Sequence, residues 1–105
     1  MDFVKGLRLT IFTAEDYKYE GNILFRQIVD RLYGASISGV TVVRGIMGYG
    51  SSKQMRQVRL ADLFEGLPII IDAVDTKETI EGFVVEHSEL LIHCTVTTSP
   101  VELWR

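Results

Sequence analysis

From Lys5 to Thr13 the chain alternates, with Leu7, Leu9 and Ile11 interleaved among Arg8, Thr10 and Phe12. That two-residue period predicts a strand with one apolar face. Residues 14–19 are polar, charged and aromatic, and read as a connecting loop. From Glu20 to Tyr33 the spacing changes. Leu24, Ile28 and Leu32 recur every four residues, as do Phe25 and Val29, which predicts an amphipathic helix. Gly34 stands where a left-handed residue would stop it. Val40 to Met47 is rich in β-branched residues and predicts a second strand. Gly48-Tyr49-Gly50-Ser51-Ser52-Lys53 then breaks the pattern. Residues 51–66 form a long excursion whose middle, Leu60 to Phe64, is read as a helical turn or short strand.

Pro68 opens a third strand, Ile69 to Val74, ending at Asp75. Asp75 and Glu78 have the spacing of a capping box for a second helix. That helix would carry Ile80, Phe83, Val84, His87 and Leu91 on one face. Leu91 to Thr98 reads as a fourth strand, with Ile92, Cys94 and Val96 on one side. Val101 to Trp104 is left as a short fifth strand or a docking tail. The order β-α-β, β-α-β predicts an α+β, ferredoxin-like sandwich, an antiparallel sheet with two helices on one face. The other face, with Phe12 on it, then needs a partner.

Composition sharpens this picture in three ways. A chain of 105 residues with no composition break reads as one domain over residues 1–105. Its mean hydropathy of +0.18 is high for so small a chain, which favours association through apolar surface. Cys94 is the lone cysteine, so no intrachain disulfide can form, and a reduced cytoplasmic setting is expected. Neither a signal-peptide plan nor an apolar run of membrane-spanning length is present, so no membrane insertion is expected.

The net charge of −3 conceals a strong asymmetry. Residues 1–43 are neutral, residues 44–59 carry Arg44, Lys53, Arg56 and Arg59 with no acid, and residues 60–105 carry nine acids against two bases. Beside that basic stretch lie Gly45, Gly48, Tyr49 and Gly50. Glycines admit close approach to a ligand and expose backbone N–H groups, and the cations would add charge. Arg44, Gly45, Gly48, Tyr49, Gly50, Lys53 and Arg56 are therefore the candidate anion-binding residues. Catalytic groups are sparse. His87 and His93 show no metal-ligand spacing, His87 reads as a packing histidine, and no serine has a positioned base. No metal and no enzymatic activity are expected.

The runs Tyr19-x-Gly21-x-x-Leu24, Gly39-x-Thr41-Val42-x-Arg44-Gly45-x-x-Gly48-Tyr49-Gly50 and Leu67-Pro68 resemble an uncharacterised PII-like (GlnB-like) family. The resemblance covers about residues 7–98. It implies a ferredoxin-like protomer and a homotrimer whose sheets face inward. It also implies a T-loop-like excursion at about residues 48–67, above intersubunit clefts where PII relatives bind adenine nucleotides. The expected function is thus a non-enzymatic regulator or sensor. A small anionic effector, with adenine nucleotides the first candidates, would reshape the 51–66 loop, which then contacts a target protein. The chain departs from PII proteins at Glu86 to Leu91, which lacks their second phosphate-holding glycine turn, and residues 51–66 contain no tyrosine to modify.

Two alternatives stand beside this reading. An acylphosphatase-like hydrolase would need an anion cradle after the first strand, where Glu15, Asp16 and Glu20 are acidic instead. An RNA-binding module finds a faint echo in Arg44-Gly45-Ile46-Met47-Gly48-Tyr49. The sequence pI of about 5.3 argues against nucleic acid.

Overall fold

The computed structural model describes residues 1–58 and 66–105. Strand β1 (Phe3–Ala14) leads through a two-residue pair, β2 (Lys18–Tyr19) and β3 (Asn22–Ile23), into helix α1 (Leu24–Gly34). Strand β4 (Gly39–Arg44) follows, then a small hairpin of β5 (Met47–Gly48) and β6 (Arg56–Gln57). Strand β7 (Pro68–Thr76), helix α2 (Lys77–Glu86), a single turn α3 (Ser88–Leu91) and strand β8 (Thr95–Trp104) complete the order. The main sheet runs β4-β7-β1-β8 with every pairing antiparallel. Two β-α-β units are thereby interleaved, which is the ferredoxin-like arrangement expected from the sequence.

One face of the sheet holds the core. Leu9 and Ile11 of β1 and Ile69, Ile71 and Ala73 of β7 pack against Leu24, Ile28 and Leu32 of α1, Ile80 and Phe83 of α2, and Leu90 and Leu91 of α3. Among the described residues nothing covers the other face, and the register reads it row by row. Phe12, Ile70 and Val43 stand side by side across β1, β7 and β4, and Phe12 is 42% exposed. In the next row Thr10 lies opposite Asp72, whose carboxylate takes two hydrogen bonds from Arg8 (3.1 and 2.8 Å) and one from the Thr10 hydroxyl (2.8 Å). The bare face is thus an apolar stripe beside an ion pair. The Arg8 hydrogen bonds hold the Asp72 carboxyl below its ordinary value.

Several boundaries differ from the sequence reading, each for a local reason. Helix α1 starts at Leu24, not Glu20, because Glu20 (φ 51°) and Gly21 (φ 83°) turn the chain so that Lys18–Tyr19 pairs with Asn22–Ile23. Gly34 is helical, and Ser36 (φ 58°) takes the left-handed conformation instead. The second strand ends at Arg44, and Met47 leaves the main sheet for the hairpin. Leu91 belongs to α3 and Ile92 is exposed, so the last strand begins at Thr95. Residues 101–104 continue that strand, where Phe3 and Trp104 meet edge to face at 4.8 Å. The turn or strand expected within Leu60–Phe64 lies outside the described residues, as does Arg59.

Helix α2 is capped by Thr76, whose hydroxyl accepts from the Thr79 amide, and not by Asp75. Asp75 is committed elsewhere. Its buried carboxylate accepts from the amides of Thr76 (2.6 Å) and Ser38 (2.8 Å) and faces Arg105 at 3.4 Å. Burial alone would raise its pKa, yet these hydrogen bonds and the Arg105 charge outweigh it and hold the group below its ordinary value. Because the folded pKa is depressed, the stabilisation is complete above the unfolded pKa of about 3.9. It is lost as pH falls through the folded value. Urea melts at pH 7 and pH 3 should show wild type losing more stability between the two than Asp75→Asn does. Equal losses would assign the acid sensitivity to other carboxylates.

Candidate functional site

Strand β1 ends where β7 and β8 begin, and the β5–β6 hairpin rises over that end of the sheet. Between them lies a cleft of about 230 Å³. The hairpin side supplies Gly48, Tyr49, Gly50 and Arg56. The sheet side supplies Phe12, Thr13, Ile70, Cys94 and Thr95, and the β1–β2 connection supplies Tyr17. Since Phe12 and Ile70 also belong to the bare face, the cleft opens at the margin of the surface that lacks a covering layer.

Four of the seven candidate residues line this cleft, and Arg44, Gly45 and Lys53 do not. Arg44 reaches Glu15 at 3.0 Å. The Gly45 amide donates to the Pro68 carbonyl at 2.8 Å, and a Cβ on Gly45 would come within 3.2 Å of the Pro68 ring. Lys53 closes a turn by donating from its amide to the Gly50 carbonyl (2.9 Å), with its ammonium 5.9 Å from the centre of the Tyr49 ring. That contact is of cation–π length. Arg56 is the cation of the cleft itself, donating to Asp16 at 2.7 Å and to the Gly66 carbonyl at 2.8 Å.

Sequence reasoning missed the sheet half of the site. Thr13, Tyr17 and Cys94 meet only because β1 and β8 are neighbours and the 14–20 connection folds back. The Thr13 hydroxyl is buried without a hydrogen-bond partner of normal geometry among the described residues. Such groups are uncommon in folded proteins, where an ordered water or ion is one way of satisfying them. Burial pushes the Cys94 thiol above its ordinary value, against an opposing pull from Thr13, so the sulfur stays protonated and weakly reactive. His87 packs as expected, 4.5 Å from the centre of the Phe83 ring and 3.3 Å from Arg31. Among the described residues no three metal-ligating groups converge, and no helix is long and apolar enough to cross a membrane.

The fold defines the class: an α+β, ferredoxin-like protein of PII-like architecture. The chain superposes on a nitrogen regulatory PII-like protein, CPII from Thiomonas intermedia K12, solved with ADP, AMP and bicarbonate. The TM-score is 0.74 at 19% identity, covering 99% of this chain and 92% of that one. More particularly, the chain belongs to the DUF190 (UPF0166) family, "Uncharacterized ACR, COG1993", whose family model matches residues 6–103. A UPF0166 protein of Methanocaldococcus jannaschii is 39% identical over 91 residues, 84% of this chain and 81% of that protein. One of Aquifex aeolicus is 36% identical over 86 residues, 82% of each.

Proposed function

We propose that this chain is a single PII-like regulatory domain that binds an adenine nucleotide and acts as a sensor, not as an enzyme. The observation that carries this reading is the cleft at the sheet end, where the Gly48–Gly50 backbone and Arg56 offer donors and charge to an anion. The buried Thr13 hydroxyl at its wall supports it, and so does the ADP and AMP held by the similarly folded CPII. Ligand clefts usually enclose about 300–1,000 Å³. At about 230 Å³ the cleft of one protomer falls short. A second subunit laid on the bare sheet face would deepen it, which suits a homotrimer with sites between subunits. The 51–66 excursion, beginning at the cleft wall, would carry the bound state to a target protein.

Isothermal titration with ATP, ADP and AMP, each with and without bicarbonate, tests the reading. At least one should release or absorb heat with one site per chain. No heat from any of the six would overturn nucleotide sensing.

A further inference from the structure

Two of the acids after β1, Glu15 and Asp16, face the basic stretch. Glu15 accepts from Arg44 (3.0 Å) and from the Leu67 amide (3.2 Å), while its own amide donates to the Leu67 carbonyl (2.9 Å). Asp16 accepts from Arg56, whose guanidinium also binds the Gly66 carbonyl and lies 5.0 Å from the centre of the Tyr17 ring. One cation therefore ties together the β1–β2 connection, the outgoing hairpin and the returning chain. Gly66 is required at this knot. Its φ is +69°, and a Cβ there would stand 2.8 Å from Arg56 Nη1 and 3.2 Å from Asp16 Oδ2.

The two partners of this ion pair are not equivalent. The Arg56 side chain is 11% exposed, whereas Asp16 is 54% exposed. A buried cation left unpaired is costly, while an exposed carboxylate can swing into water at little desolvation cost. Arg56 must keep an anion, and Asp16 is the one that can leave. Asp16 makes one bond to the guanidinium, and a phosphate group brings three acceptor oxygens and more charge.

We infer that Asp16 is a built-in competitor for Arg56, so that a phosphate-bearing ligand entering the cleft replaces it and thereby unties β6 from the β1–β2 connection. This rests on the anion-binding reading above and adds the residue that sets affinity and couples the site to the excursion. ADP titrated by calorimetry into wild type, Asp16→Ala and the charge-matched Asp30→Ala, altered on the exposed side of α1, tests it. Asp16→Ala should bind ADP about three- to tenfold tighter, as removal of a competing ion pair predicts, and Asp30→Ala within twofold of wild type. Trypsin nicking after Lys53 should rise in wild type on saturation with ADP to the rate Asp16→Ala shows without it. Equal ADP affinity in wild type and Asp16→Ala, or equal tightening in Asp30→Ala, would overturn the competitor while leaving nucleotide binding intact. Nicking indifferent to ADP would overturn the coupling. Absence of ADP binding in all three proteins would remove the nucleotide reading and the exchange together.

Discussion

In the proposed homotrimer, substituting Phe12→Asp should reduce the solution mass about threefold, from three times the 11.9 kDa chain to a single chain. Phe12 is the most exposed member of the Phe12–Ile70–Val43 row apart from edge residue Val43, and it stands beside the cleft. Burying a Phe side chain contributes about 1.5–3 kcal/mol. A few such side chains per subunit can offset the roughly 4–15 kcal/mol lost when partners associate. A carboxylate placed there would have to be desolvated on the same face as Asp72. Light scattering at micromolar concentration measures the result. A wild-type mass of one chain would remove the proposed intersubunit site altogether, and a trimeric Phe12→Asp variant would move the interface to another surface.

The second large effect concerns the core. Ile71 is fully buried at the middle of the central strand β7, opposite Ile11 on one side and Val42 on the other. Truncating Ile71→Ala leaves a cavity in the core between the sheet and the helices, whose walls collapse around it only in part, at a cost of about 2–5 kcal/mol. Domains of this size have only about 5–15 kcal/mol in total. The melting midpoint should fall by about 15 °C, since 1 kcal/mol shifts it by roughly 4–8 °C in a small domain. A thermal melt followed by circular dichroism checks this at matched chain concentration, because association adds to apparent stability. A fall below about 5 °C would mean that the sheet does not depend on that contact.

The elements that were legible in the sequence are those whose pattern is enforced by a single buried face. Leu7, Leu9 and Ile11 alternate because one side of β1 meets the helices, and Leu24, Ile28 and Leu32 repeat because one side of α1 meets the sheet. The bare face was legible too, since Phe12 falls opposite the core positions of its own strand. The errors arose where one residue had two physically sensible uses. Asp75 could cap α2, but folding gives its oxygens to Ser38 and Thr76, and Thr76 caps in its place. Glu20 is no usual turn former, yet Gly21 beside it makes the left-handed turn affordable and shortens α1.

Within the candidate site, local composition exposes only the hairpin wall. Gly48, Tyr49, Gly50 and Arg56 are close in sequence and announce themselves by type. Thr13, Tyr17 and Cys94 are ordinary residues whose meeting depends on strand order, which no local pattern encodes. A sequence displays the sign of its charges and not their pairing. The acidic 14–20 connection and the basic 44–59 stretch looked like separate features, and the fold joins them through Glu15–Arg44 and Asp16–Arg56.

The Gly45 amide and the Pro68 carbonyl meet at 2.8 Å, so the chain leaves the sheet and returns to it at one point. For whatever lies between those residues, the entropy of closing a loop grows only with the logarithm of its length, about 0.6 kcal/mol per doubling. Lengthening, shortening or rewriting the excursion should therefore leave the sheet and the cleft floor nearly untouched. Evolution can exchange the segment between those two residues without renegotiating the scaffold, and an engineer can splice a foreign recognition loop into the same doorway.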